Sequence, residues 1–162
     1  MPRFAGVDHF GLSVTDLDVS HHFYSEVLGF VPVFDFGYAR IYLHNPSGFS
    51  IALLQHPAGQ GGRFTELTTG LDHLGFTASS LAELREWEQR FREAGVEFTP
   101  IREAEFGHHL NFRDPDGIAL EFTVSNDTMA EAFELLRTGE LSDEQVAEYA
   151  QRLAEELIRP IQ

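Results

Sequence analysis

Val7-Asp8-His9-Phe10-Gly11-Leu12 returns downstream as Leu71-Asp72-His73-Leu74-Gly75-Phe76. A segment used twice marks a structural unit used twice, so every motif between the copies has to be read modulo that unit. A second pair agrees with the first, since Asn45-Pro46-Ser47-Gly48 returns as Asp114-Pro115-Asp116-Gly117. In each copy the quoted segment reads as a strand. A polar cap, a helix ending near a glycine and three further strands follow, which is the order βαβββ.

The first copy reads as a strand over 9–14, a helix over about 17–28 closed by Gly29, and strands near 31–36, 39–44 and 49–55. The second has a strand over 73–78. Ser80 and Glu83 then have capping-box spacing for a helix through Ala94, which Gly95 closes. Strands near 96–101, 108–113 and 118–124 complete the unit. Between the copies, Pro57 to Gly70 is glycine-rich and reads as a loop over a cleft. After Val124 the pattern turns helical. Asp127 to Arg137 runs to Gly139, and Ser142 with Gln145 caps a helix to about Ile158. The expected organisation is a domain over 1–125, with module 1 about 5–56, a linker loop 57–70 and module 2 about 71–125. A C-terminal helical extension covers 126–162.

The 162 residues are the length of one ordinary domain and bury a sizeable core without staples. Cysteine is absent, which excludes disulfides, thiolate metal sites and cysteine nucleophiles. Lysine is absent too, so no Schiff base or lysine general base is available. The net charge of −15 repels phosphate backbones and anionic lipid surfaces, and the expectation is no nucleic-acid and no membrane partner. With no basic-then-apolar leader pattern and no apolar run of about 20 residues, the reading is a soluble, cytoplasmic protein.

Side chains alternate along a strand, so the neighbours of each candidate ligand can be read off. His9 shares a face with Gly11 and Ser13, opposite Phe10, Leu12 and Val14. His73 shares one with Gly75 and Thr77, opposite Leu74, Phe76 and Ala78. Glu121 sits with Ala119 and Thr123, opposite Ile118, Leu120, Phe122 and Val124. Two histidines and a glutamate thus project from the small, polar side of strands whose other side is core, and the repeat relates the histidines. Two neutral imidazoles and one carboxylate bind a divalent ion while leaving coordination positions open. The expected ion is Fe2+ or Mn2+, with Zn2+, Ni2+ and Co2+ as alternatives.

Asp8-His9-Phe10-Gly11-Leu12, Asp72-His73-Leu74-Gly75-Phe76 and Arg113-Asp114-Pro115-Asp116-Gly117-Ile118-Ala119-Leu120-Glu121 resemble the vicinal oxygen chelate superfamily of glyoxalases, extradiol dioxygenases, fosfomycin resistance enzymes and bleomycin resistance proteins. The resemblance covers residues 5 to about 125. It implies an α+β fold in which two βαβββ modules form one cup-shaped mixed sheet, here followed by two C-terminal helices. It also implies that His9, His73 and Glu121 are the metal ligands. Where glyoxalase I takes a fourth ligand from strand four this chain has Ala52, and His56 lies farther along the same face. Extradiol dioxygenases carry a tyrosine at the place of Asn111, and their acid-base histidine has its nearest counterparts in His108 and His109. His109 shares a face with Asn111 and is the preferred proton relay. Fosfomycin enzymes use a lysine, and a threonine where Gly11 stands, so that activity does not fit. Bleomycin-binding proteins lack the metal residues.

Among the remaining features, most of the fifteen Phe alternate correctly for core. Arg40, Tyr42 and His44 alternate with Ile41 and Leu43 and are candidates for the cup wall. His21 and His22 are neighbours on a helix, point about 100° apart and cannot share one metal. The apolar positions of the C-terminal helices, among them Ala132, Leu135, Val146, Tyr149 and Leu153, suit either the cover of an open sheet edge in the monomer or a homodimer, and the dimer is the preferred reading. The function expected is that of a metal-dependent enzyme on a small oxygenated substrate, a dioxygenase or a glyoxalase-like lyase or isomerase. His109, His56 and Asn111 are its candidate catalytic residues. The alternative is a drug- or natural-product-binding resistance protein without turnover.

Overall fold

The structure, a computed structural model, describes residues 5–157. The first module contributes β1 (His9–Ser13), α1 (Leu17–His21), β2 (Val31–Asp35), β3 (Ala39–His44) and β4 (Phe49–Leu54). The second contributes β5 (Leu74–Thr77), α2 (Leu81–Ala94), β6 (Arg102–Ala104), β7 (Gly107–Arg113) and β8 (Ala119–Ser125). Two helices follow, α3 (Asp127–Arg137) and α4 (Asp143–Leu157). Both modules have the same topology, with strand orders β1-β4-β3-β2 and β5-β8-β7-β6. In each, the first strand lies parallel to the last and the remaining pairs are antiparallel. The mixed α+β architecture is therefore the expected one. Its strands form two four-stranded sheets, each closed within its own module, instead of one hydrogen-bonded sheet.

Local chemistry accounts for most boundaries. The Asp16 carboxylate caps α1 by accepting from Asp18 N and Val19 N. The Ser80 hydroxyl caps α2, while the Glu83 carboxylate reaches back to Ser79, and Gly95 ends the helix at φ 68°. The single helix expected over 17–28 is instead a short α-helix that widens into a π-helical turn over His22–Val27, marked by the Leu28 N–H donating to Phe23 O at 3.0 Å. Both Phe23 and Tyr24 are buried there. The strand expected over 96–101 is displaced to Arg102–Ala104. Glu97 and Thr99 do exchange backbone hydrogen bonds with Arg113 and Asn111, but Pro100 has no N–H and interrupts the ladder.

One apolar cluster serves both modules. Leu12, Val14, Tyr42, Ile51 and Leu53 from the first sheet join Leu74, Leu110, Phe112, Leu120 and Phe122 from the second, with Leu84 and Phe91 of α2 between. Rings fill it densely: the Phe91 and Phe112 centroids are 4.5 Å apart and those of Trp87 and Phe122 4.6 Å apart. Because each sheet gives this shared core one row of side chains, the opposite rows are turned away from it. Arg40, Tyr42 and His44 belong to the inner row, not the cup wall: Tyr42 is fully buried, Arg40 bonds Leu17 O and Asp18, and the His44 ring lies against Phe30. The outer row of β3 carries Ile41 and Leu43 in their place.

The segment between the modules has no regular secondary structure and is pinned to the second module. Phe64 N donates to Asp116 O, and Arg113 grips both oxygens of Glu66, holding that carboxyl down at about 2. Thr15, at the end of the first module's leading strand, donates its N–H and hydroxyl to the Asp116 carboxylate. At the far end Met129 and Ala132 of α3 are buried, whereas Leu135 is 39% exposed.

Candidate functional site

Register places the candidate residues on named rows. In the second module Gly75, Glu121 and Asn111 are neighbours across β5, β8 and β7, and Thr77, Thr123, His109 and Arg102 form the next rung out to β6. Apart from Gly75, the side chains of these two rungs are all polar. In the first module the rungs are His9–Ser50–Leu43, Gly11–Ala52–Ile41 and Ser13–Leu54–Ala39, so that row is largely apolar between the His9 end and Ser13.

Glu121 is the hub of the polar face. Its side chain is only 13% exposed, and it accepts from His109 Nδ1 at 2.9 Å. His73 Nε2 lies 4.0 Å from Glu121 Oε2. The Asn111 amide satisfies both its neighbours in one orientation only, in which it donates to Glu121 Oε2 at 3.2 Å and accepts from an Arg102 guanidinium N–H at 3.1 Å. Four candidates named from sequence, His73, His109, Asn111 and Glu121, are therefore brought together.

Both candidate histidine ligands, His9 and His73, are oriented by the aspartate before them. His73 Nδ1 is 2.6 Å from Asp72 Oδ1, and His9 Nδ1 is 2.7 Å from Asp8 Oδ2. A carboxylate can only accept, so in the neutral ring the proton sits on Nδ1 and Nε2 presents a lone pair. His73 Nε2 and Glu121 Oε2 are then two acceptors facing each other at 4.0 Å, an arrangement that a cation between them would relieve. Carboxylates that fix the tautomer of a histidine are the usual outer partners of a metal-bound imidazole. The donor chemistry fits a divalent ion.

His9 and His56 stand elsewhere. His9 lies on the outer row of the first module, about half exposed, and among the described residues no group of three His, Asp or Glu side chains could hold an ion. The expected triad is not assembled within one chain, because both modules spend their inner rows on the common core and so carry His9 and Glu121 on faces turned away from it. His56 lines an open cavity of about 910 Å³ with Gly11, Ser13, Tyr38, Gln55 and Arg63, apart from Glu121. The sequence reading passed over Asp8 and Asp72 as functional groups, although their repetition beside each histidine was the available signal. It also passed over Arg102, for which no local pattern gave one.

A buried carboxylate sits in the turn between β7 and β8. Asp114, 4% exposed, accepts from the N–H groups of Ile118 and Asp116 and from the Tyr24 hydroxyl at 3.1 Å. Burial outweighs these bonds and pushes its carboxyl up to about 6. Burial also raises the Tyr24 phenol, and the adjoining carboxylate adds to that.

Comparison with known proteins identifies the family. The family model described as Glyoxalase/Bleomycin resistance protein/Dioxygenase superfamily matches residues 6–122. A biphenyl-2,3-diol 1,2-dioxygenase of Rhodococcus globerulus is 29% identical over 126 residues, covering 77% of this chain; the chain spans 64% of that relative's length. Among solved structures, a glyoxylase/bleomycin resistance protein/dioxygenase domain from Frankia sp. EAN1pec is 38% identical with a TM-score of 0.69, covering 76% of this chain and 100% of its own. The fosfomycin resistance protein FosX from Listeria monocytogenes shares the fold at 21% identity, with a TM-score of 0.64 over 80% of this chain and 98% of its own. With one family model spanning most of the chain and the same paired βαβββ architecture in its structural neighbours, the chain belongs to the Glyoxalase/Bleomycin resistance protein/Dioxygenase superfamily.

Proposed function

We propose that the protein is a divalent-metal-dependent enzyme acting on a small oxygenated organic molecule, with the ion held by His9, His73 and Glu121. The observation that carries this reading is the facing pair of acceptors, His73 Nε2 and Glu121 Oε2, with Asp72 fixing the histidine tautomer and the Asp8–His9 pair repeating that arrangement. When bound, such an ion supplies Lewis-acid stabilisation of adjacent substrate oxygens. Fe2+ or Mn2+ suits this donor set best, and Zn2+, Ni2+ or Co2+ would point to lyase or isomerase chemistry. The relative from Rhodococcus globerulus acts on a biphenyl diol, and FosX from Listeria monocytogenes has been solved with Mn(II). An extradiol-type ring cleavage is accordingly the first reaction to test.

His109 serves as the proton relay. Its Nδ1–H is committed to Glu121, which leaves Nε2 as an acceptor toward the outer face. Asn111 stands where extradiol enzymes place a tyrosine and here orders the Glu121 carboxylate. His56 has no such place next to Glu121 and is given no catalytic role.

The site is completed by a second copy of the chain, each module 2 face receiving the module 1 face of its partner. Two observations favour the homodimer. The two outer faces differ in character, one polar around Glu121 and one largely apolar between His9 and Ser13. Every residue of β2 is exposed, and Val31, Val33 and Phe34, with Phe36 and Tyr38 just beyond, form an uncovered apolar strip. A cup so assembled has one wall for chelating oxygens and another for an aromatic or aliphatic body. Elemental analysis of protein purified without chelator, beside His9→Ala and Glu121→Ala, tests the reading. Near-stoichiometric metal lost in both variants is expected, and a wild type that binds none after reconstitution would overturn it in favour of metal-free small-molecule binding.

A further inference from the structure

We infer that Arg102 is a specificity-determining residue that selects substrates bearing a carboxylate alongside their chelating oxygens. The inference rests on the metal-site reading above and adds a substrate class to it. Arg102 lies on β6 in register with His109, two strands from Glu121 and on the same face. One of its guanidinium nitrogens donates to the Asn111 amide, whose other end bonds Glu121. That tether fixes the direction of the guanidinium plane and leaves its remaining N–H groups free to bond.

Position and charge together set this arginine apart. In a chain of net charge −15, Arg40, Arg63, Arg92 and Arg113 are each paired with a carboxylate, and Arg90 is spent on the carbonyls of Val27 and Glu26. Arg85 lies on α2, and Arg137 and Arg152 lie over the rings of Phe133 and Tyr149 on the C-terminal helices, none of the three on the face of the candidate ligands. Arg102 is exposed and has no carboxylate partner among the described residues. Glu103 alternates to the opposite face, in register with His108. A tethered guanidinium without an internal counter-ion, on the same face as the candidate ligands, is built to receive an oxyanion from outside. Its planar fork matches the two oxygens of a carboxylate, a geometry that an ammonium group cannot reproduce. With no lysine in the chain, arginine is also the only permanently charged cation available for that role.

The test uses the full chain loaded with Mn(II), and compares wild type with Arg102→Ala and Arg102→Lys. Mn(II) affinity is read by electron paramagnetic resonance. Binding of catechol, 2,3-dihydroxybenzoate and 3,4-dihydroxybenzoate is read by titration calorimetry. The wild type is expected to favour at least one dihydroxybenzoate over catechol by tenfold or more. Arg102→Ala should lose that preference, its affinity for the favoured dihydroxybenzoate falling at least tenfold more than its affinity for catechol at the same Mn(II) occupancy, and Arg102→Lys should recover only part of it. No preference in the wild type, or an equal loss for all three ligands in Arg102→Ala, would overturn the inference and leave Arg102 as a support for Asn111. Failure of the wild type to bind Mn(II) would sink the metal reading instead. The inference would then be decided on metal-free protein by benzoate against benzyl alcohol: a benzoate preference lost in Arg102→Ala upholds it, and none refutes it.

Discussion

His109 donates from Nδ1 to Glu121 Oε1 at 2.9 Å, along a diagonal between neighbouring strands. The bond ties the expected proton relay to the expected metal ligand, and Asp72 and Asp8 hold the two candidate histidines in the same manner. Groups that orient a ligand without touching the metal still set its affinity, because an imidazole free to rotate or to change tautomer loses lone-pair direction. Asp8→Ala, Asp72→Ala and His109→Ala are each expected to weaken metal binding by about 10–100-fold while leaving the fold intact. Competition against a chelating dye measures this. Unchanged affinity in all three variants would mean that Asp8, Asp72 and His109 do not orient metal ligands.

The Asp114 carboxyl gives the protein a pH-dependent stability of defined sign. Its value in the folded chain is raised to about 6 from an ordinary 3.8, so between those values the native state holds a proton that the unfolded state has lost. Stability from this group is fully present below the lower value and falls as pH rises through the upper one, by roughly 3 kcal/mol in total. Asp114→Asn keeps an acceptor for the N–H groups of Ile118 and Asp116 and presents an amide to Tyr24, yet carries no charge to desolvate. Relative to wild type, its melting temperature should gain as pH is raised from 4.5 to 7.5. Parallel curves for the two proteins would show that Asp114 does not titrate in that range.

The turn that carries Asp114 also joins the modules. The Asp116 carboxylate accepts both the N–H and the hydroxyl of Thr15, and its carbonyl accepts from Phe64. Asp116→Ala removes the two side-chain bonds and spares the third. The expected cost is about 1–3 kcal/mol, the range for hydrogen bonds to a charged acceptor, and urea unfolding of the single variant checks it. A loss under about 0.5 kcal/mol would show that the shared core alone fixes the two modules against each other.

How far the sequence reached follows from what a repeat can encode. Strand faces are local, so alternation around His9, His73 and Glu121 separated core from outer row correctly. Capping pairs such as Ser80 with Glu83 are equally local and located their helix. On β3 alternation gave two faces but not which one was inner. Tyr42 went to the core because burying its ring against the first helix outweighed exposing Arg40 and His44, and only packing decides that balance. Arg102 escaped notice for a related reason. It follows Pro100, which displaced the strand, and its meaning comes from an arginine-to-asparagine contact across a ladder whose register no periodicity fixes.

Whether His9 meets Glu121 within a chain or between two chains can be decided by mixing variants. Suppose that each centre takes His9 from one chain and His73 with Glu121 from its partner. A mixed dimer of His9→Ala with Glu121→Ala then has one centre in which both substitutions fall together and one in which neither does. Each homodimer should bind no metal, whereas the refolded equimolar mixture should bind about one ion per mixed dimer, with mixed dimers forming about half of the population by random pairing. Metal content of the mixture, purified through two different affinity tags, reads the result. Within-chain centres would leave both sites of the mixed dimer broken, and an empty mixture would require the two modules of one chain to swing together until His9 reaches the His73–Glu121 pair.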